Sequence, residues 1–185
     1  MESVYVMKLL SDTEEYIRLE GDFSALKDPC MKSEIQYLDK EKAVFQVSEE
    51  GGLELPDFMV QEGIVFVSAA CKEWMEEEGM DYVFFKQAEV YSDTFGIHET
   101  YWIMVPPRID CLDIDKSVLH LEWDFYDGLL PLLEAEKIAV FPEMAGRFQM
   151  FKILGLLDNN IYVREAFYQK AQSQGWDGVC FMKLP

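Results

Sequence analysis

The chain has 185 residues, half of them hydrophobic and 14% aromatic, which excludes a disordered polymer and supplies apolar surface for one ordinary domain or two small lobes. Thirty-five Asp and Glu against 16 Lys and Arg leave a formal charge of −19, a field that repels nucleic acid and anionic membranes and favours positively charged partners. Residues 1–100 hold 23 acids and 8 bases and residues 101–185 hold 12 and 8, so an electrostatic docking face belongs mainly to the N-terminal part.

In chain order, Val4 to Leu10 is a short β-rich run and reads as a strand. Residues 11–60 are polar, with short apolar pieces such as Ala43 to Val47, and Glu49-Glu50-Gly51-Gly52 reads as a turn. Leu55-Pro56-Asp57-Phe58 then leads into the best-patterned stretch. Ile64 to Val67 reads as a strand, Ser68 to Glu78 as a helix, and Gly79 to Phe85 as a glycine stop and a second strand. Ser68 is placed to cap the helix, Cys71, Trp74 and Met75 make its buried stripe, and Gly79 supplies a left-handed end.

The same pattern returns at a constant shift of 96 residues: Asn160 to Val163, Arg164 to Gln174, then Gly175 to Phe181. Val67, Ala70, Gly79, Asp81, Val83 and Phe85 meet identical residues at Val163, Ala166, Gly175, Asp177, Val179 and Phe181, and these identities fall on the structural punctuation. Ala166, Phe167, Lys170 and Ala171 hold the matching helix face. Between the copies, Glu99 to Val105 reads as a strand ended by Pro106-Pro107. Ile109 to Asp115 alternates apolar and acidic residues like a half-buried strand. Ser117 to Trp123 and Lys137 to Phe141 read as further strands, with Gly128 and Pro142 as breakers; Arg147 to Ile153 reads as a strand or a turn into the second copy.

The fold class expected is therefore α+β, a mostly antiparallel sheet with two repeat-related helix–strand units. The domains expected are an acidic N-terminal lobe over residues 1–100 holding the first unit (64–85) and a C-terminal lobe over 101–185 holding the second (160–181), or one compact domain. No charged-then-apolar leader follows Met1 and no run of 18 apolar residues occurs, so a soluble, cytoplasmic protein with reduced thiols is expected. Of Cys30, Cys71, Cys111 and Cys180, none forms a C-x-x-C pair, and Cys71 and Cys180 read as small core residues.

Catalytic patterns are missing: there is no P-loop, G-x-G-x-x-G, G-x-S-x-G or H-E-x-x-H. His98 reads as a loop or strand-start residue and His120 as a solvent-facing strand residue. Asp110, Asp113 and Asp115 lack the turn glycine and closing Glu of a calcium loop, and alternation sets Asp110 apart from the other two, so a solvated face is the better reading. No catalytic group, cofactor or metal is expected.

Partner-binding residues are a different matter. Glu73, Glu76, Glu77 and Glu78 crowd the end of the first helix, where each last-turn anion opposes the helix dipole at a cost of about 0.3–1 kcal/mol. The second copy carries Gln172, Ser173 and Gln174 at the positions of Glu76 to Glu78 and avoids that cost, so the acidic end reads as a functional surface. Trp123, Asp124 and Tyr126 form an acidic, aromatic segment of the kind that supplies interface hot spots.

Several of these motifs occur in an order that resembles the bacterial immunity protein 11 family: Leu55-Pro56-Asp57-Phe58, Val67-Ser68 followed by a helix and Gly79, Tyr101 to Val105, Ile109 to Ser117, Arg147-Phe148, and Val163 through Gly175-Trp176-Asp177-Gly178 to Phe181. The resemblance runs from about residue 50 to the C-terminus. It implies an α+β protein of a polymorphic toxin locus that binds a cognate toxin, and it brings no catalytic residues with it. Arg164 stands where the family usually has Ser, which removes a helix cap that the first copy keeps at Ser68. A nuclease-type, cationic toxin would suit the acidic charge. Two other readings stay open on the residues alone: a self-associating adaptor, and a small-molecule-binding domain of unknown ligand. Oligomeric state is not legible.

Overall fold

The computed structural model describes residues 3–10, 14–39, 41–127, 130–156 and 160–184, with side chains described except at 121–127, 130–134 and 142. The elements run β1 (Val4–Leu9), β2 (Leu19–Glu20), α1 (Ser24–Lys32), a 3-10 turn (Ile35–Tyr37), β3 (Ala43–Val47), β4 (Phe58–Gln61), β5 (Ile64–Ser68), α2 (Ala69–Glu77), β6 (Phe84–Ser92) and β7 (Ile97–Val105). They continue with β8 (Arg108–Ile109), β9 (Val118–Asp127), β10 (Leu130–Lys137), a 3-10 turn (Pro142–Ala145), β11 (Met150–Ile153), β12 (Ile161–Arg164), α3 (Glu165–Ala171) and β13 (Val179–Lys183). Strands outnumber the three described α-helices, and the class is α+β.

The chain divides into two compact units. The larger comprises residues 9–105 and 176–180; the smaller comprises 1–8, 106–175 and 181–185. By sequence the larger unit holds 23 acids against 7 bases, a net of −16, and the smaller 12 against 9, a net of −3.

The larger unit is built on a six-stranded sheet in the order β2-β3-β6-β7-β5-β4. Its spine is the β6–β7 hairpin, antiparallel in unbroken register from Phe84↔Val105 to Ser92↔Ile97. Two-residue alternation sends Ala88, Val90, Tyr101, Ile103 and Val105 to one face, where they pack with Phe45, Ile64 and Phe66 against Leu26 and Cys30 of α1. The opposite face carries Phe85 and Trp102, over which Lys72 of α2 reaches. The sheet thus has one helix on each face. β4 and β5 close through Glu62 (φ 51) and Gly63 (φ 79), the two left-handed residues that a tight hairpin turn demands.

In the smaller unit a five-stranded sheet is ordered β13-β1-β12-β11-β8, and β9 pairs with β10 in a separate hairpin. Val4, Val6, Phe151, Ile153 and Tyr162 form its core with Cys111, Ala145 and Leu156. Tyr5 stacks on Tyr168 of α3 at 3.9 Å.

Most pairings are antiparallel, but β3–β6 and β11–β8 are parallel, so both main sheets are mixed. Both strand–helix–strand passages fold, as β5–α2–β6 and β12–α3–β13. Five local expectations are corrected. Residues 109–115 do not form a half-buried strand: beyond β8 they make one bridge, Leu112↔Val140, and then a turn closed by the buried Asp113. Lys137–Phe141 is likewise mostly outside a strand. The strand after α2 starts at Phe84, because a turn follows Gly79. Cys180 is exposed rather than a core residue, and on α3 Phe167 and Ala171 are buried whereas Ala166 and Lys170 face solvent. Gly128 lies outside the described residues.

Candidate partner-binding surface

Helix α2 begins where β5 ends. Ser68 stays extended (ψ 160) and its hydroxyl accepts the Cys71 N–H at 3.3 Å, while the same hydroxyl donates to the Asp57 carboxylate at 2.8 Å. The helix ends on Gly79 at φ +77: Gly79 N donates to the Glu76 carbonyl and Met80 N to the Met75 carbonyl, both at 3.0 Å, the paired bonds of a Schellman motif. Cys71 and Met75 are wholly buried and Trp74 half-buried. That leaves Glu73, Glu76 and Glu77 exposed at spacings i, i+3 and i+4, which is one helix face. Glu78 is the half-buried C-cap and does not share it.

One residue that the sequence reading passed over organises this face. Lys72 pairs with Glu76 at 2.6 Å and lays its ammonium over the Trp102 ring at 4.6 Å and the Phe85 ring at 5.9 Å. The available signal was the i, i+4 spacing of Lys72 and Glu76. Trp123, Asp124 and Tyr126 sit on β9 of the smaller unit, and their side chains lie outside the described residues.

Beneath α2, two of the motifs noted in the sequence meet within the larger unit. The backbone N–H of Phe58 donates to the Asp177 carbonyl at 3.0 Å, and Asp177 N donates to the second Asp57 oxygen at 3.3 Å. Trp176 packs on Phe58 at 5.3 Å and edge-on to Trp74 at 4.8 Å. The Tyr101 hydroxyl donates to the Pro56 carbonyl at 2.8 Å, and burial raises its pKa. Burial also pushes the Cys71 thiol up to about 12, so it is neutral and unreactive at physiological pH. Both oxygens of the Asp57 carboxylate accept from the chain's own donors, Ser68 and Asp177, which gives this carboxylate a structural task.

The other titratable candidates do not converge on a reaction centre. His98 and His120 are exposed, their Nε2 atoms 3.7 Å from Asp93 and 3.5 Å from Glu136. Asp113 is turned inward and held by Lys116 at 2.6 Å, whereas Asp110 and Asp115 face solvent, so the three carboxylates diverge. Among the described residues no group of three or more His, Cys, Asp or Glu side chains is placed to hold a metal ion, and no helix is long and apolar enough to cross a membrane.

Next to α2 lie two adjoining hollows of about 430 and 480 Å³, sharing Ile35, Phe84, Phe85 and Trp102 as lining. Lys86, 6% exposed, projects from β6 at their far end, donating to Asp39 Oδ1 at 2.5 Å and to the Glu41 carbonyl. That ammonium holds the Asp39 carboxyl below the usual range.

The acidic face of α2 and the groove beside it are thus the candidate contact surfaces of the larger unit. Comparison with curated proteins finds no match to the chain. A family model, described as an immunity protein family, matches residues 5–184, so the likeness extends over the first fifty residues that the motifs alone left out. This is a family of immunity proteins and not of enzymes, and its members' task is to neutralise a cognate toxin. With nearly its whole length matched, the chain belongs to the immunity protein family Imm11.

Proposed function

We propose that this immunity protein meets its toxin through the acidic larger unit, with Glu73, Glu76 and Glu77 of α2 at the contact and Glu78 supporting the helix end. The observation that carries this is the concentration of charge. A net of −16 belongs to the larger unit, and three of its carboxylates are presented on one exposed helix face. Such a field accelerates encounter with a cationic surface, as the nucleic-acid-binding site of a nuclease toxin would be. Trp123, Asp124 and Tyr126 are proposed as a second, aromatic contact on β9. The complex is proposed to form in the cytoplasm, where the thiols stay reduced.

The same reading treats residues 64–85 and 160–181 as two copies of one helix–strand unit, centred in an N-terminal and a C-terminal lobe. Six identities at a constant shift of 96 residues support it. Only the first copy has the acidic helix end, so one copy would have diverged toward binding.

The test is co-expression of the neighbouring gene's product in a sensitive host, with and without this chain, followed by pull-down at low and high salt. Rescue of growth and a salt-sensitive complex are expected. Changing Glu73, Glu76, Glu77 and Glu78 together to Gln should slow association at low salt by at least about tenfold. A toxin bound equally fast by that variant would rule out the helix end as the docking face.

A further inference from the structure

The hollows beside α2 form one groove whose backbone is as informative as its side chains. The parallel ladder between β3 and β6 begins at Ala43↔Ala88, so Phe84–Gln87 of β6 run ahead of β3 and, among the described residues, pair as a strand with β7 alone. Alternate residues of that segment aim their N–H and C=O groups away from β7, into the groove. The 3-10 turn forms the far wall, with Ile35 44% exposed; Phe85 and Trp102 line the α2 side of the groove and Phe84 the opposite side, toward the α1 core.

We propose that this groove receives an extended, arginine- or lysine-bearing segment of the toxin, added as a strand along Phe84–Gln87. The proposal rests on the immunity reading and gives it a seat of defined geometry. An added strand would pair with the backbone groups that this segment turns away from β7, and its alternate side chains fall on opposite sides. One set meets the rings of Phe85 and Trp102; the other meets Ile35 and Leu38.

The chemistry of the occupant follows from what lines the seat. The groove wall already holds one cation, since Lys72 lies between the Trp102 ring and Glu76. Both lining lysines are ion-paired within the chain, Lys72 to Glu76 and Lys86 to Asp39. Asp81 adds an exposed carboxylate at the rim, and Glu73 and Glu77 stand exposed on the neighbouring helix. The rim thus carries surplus negative charge beside the Phe85 and Trp102 rings, which suits a guanidinium or ammonium on an otherwise apolar strand.

The probe is a nine-residue peptide of alternating arginine and valine, titrated into the isotopically labelled full chain. The expected result is saturable shifts of the Phe84–Gln87 amides and the Trp102 indole N–H, with those amides protected from exchange. Ile35→Lys and Gln87→Lys, both exposed sites, should each weaken binding by about tenfold or more through like charge. Ile114→Lys, on an exposed residue of the smaller unit, should leave it unchanged. Absence of binding, shifts confined to Glu73, Glu76 and Glu77, or indifference to both groove substitutions would overturn the proposal. Growth rescue separates the two readings. Full protection by Ile35→Lys would remove the groove and leave the immunity reading intact; failure of the wild-type chain to neutralise any toxin would remove the latter, whatever the peptide shows.

Discussion

Gly79 and Gly178 have nearly the same positive φ, +77 and +80, yet alanine should be tolerated at one and not at the other. Both substitutions carry the left-handed penalty of an L-residue, about 1–2 kcal/mol. At Gly79 a Cβ would meet nothing within 4 Å, and that penalty is the whole cost. At Gly178 the Cβ would lie 1.9 Å from the Phe58 carbonyl oxygen and 2.9 Å from its carbon, so one backbone segment must retreat by roughly 1 Å. Phe58 N→Asp177 O, Leu10 N→Gly178 O and the seat of Trp176 against Phe58 all depend on that approach. Losing both bonds without replacement, at about 1–3 kcal/mol each, brings Gly178→Ala to about 3–8 kcal/mol, a large part of an ordinary domain's stability. Urea unfolding followed by far-ultraviolet circular dichroism and tryptophan fluorescence measures both variants on one scale. The expected gap exceeds about 2 kcal/mol, and near-ultraviolet dichroism should change for Gly178→Ala as Trp176 leaves Trp74. A Gly178→Ala variant within about 0.5 kcal/mol of Gly79→Ala would refute the claim that close backbone approach holds residues 176–180 in place.

Asp57→Ala removes the acceptor of the Ser68 hydroxyl and of Asp177 N and should cost about 2 kcal/mol in the same assay, with Asp57→Asn costing less because one oxygen remains. The Asp39 carboxyl, depressed by Lys86, stabilises its loop above the unfolded carboxylate's pKa and loses that contribution as pH falls through the folded value, below about pH 4. A carbon-detected titration should show the depression vanish in Lys86→Met; its persistence would refute the assignment. Thiol reagents at pH 8 should label exposed Cys180 first and leave Cys71 and Cys111, both pushed up to about 12, untouched until unfolding. Glu77→Gln should raise helix stability by a few tenths of a kcal/mol while slowing toxin association, a trade expected only where the charge is kept for binding.

Helix α2 was legible because its signals are local and mutually consistent: a Ser68 cap, an i, i+4 apolar pair at Cys71 and Met75, and a glycine at C′. Helix α1 was not. It buries only Leu26 and Cys30, one turn apart, carries Pro29 inside, and lacks a side-chain cap bond at Phe23, so its sequence is that of a polar loop until the sheet supplies a partner. Ile109–Asp115 failed for the opposite reason. Its alternation suggests a strand, but Asp113 is buried through Lys116 and through backbone bonds to Lys116 and Ala139, contacts invisible to a period-two count. At the candidate surface, the sequence grouped Glu73, Glu76, Glu77 and Glu78 at one helix end and did not separate Glu78, the half-buried C-cap, from the face that the other three share. It did not reveal that Glu76 is tied to Lys72, or that Lys72 in turn lies on a ring contributed by a strand some thirty residues later.

The motifs that carry the family likeness have a task separate from the charges that suit a partner. Leu55-Pro56-Asp57-Phe58 and Gly175-Trp176-Asp177-Gly178 are distant in sequence, yet Asp57, Phe58, Trp176 and Asp177 join through backbone bonds and ring packing beneath α2. These contacts are intolerant: a Cβ at Gly178 has no space, and the Asp57 carboxylate is already engaged by two of the chain's own donors. Glu73 and Glu77, on the far side of the same helix, face solvent, so exchanging them disturbs little of the core. With the docking face proposed on α2, the scaffold and the contact would be formed by different residues, and the partner could change without unfolding. For an immunity protein that must match a particular toxin, this separation means that the residues by which the family is recognised are the wrong place to look for specificity. The exposed positions on α2, and those lining the groove beside β6, are where substitutions should alter binding at little cost in stability.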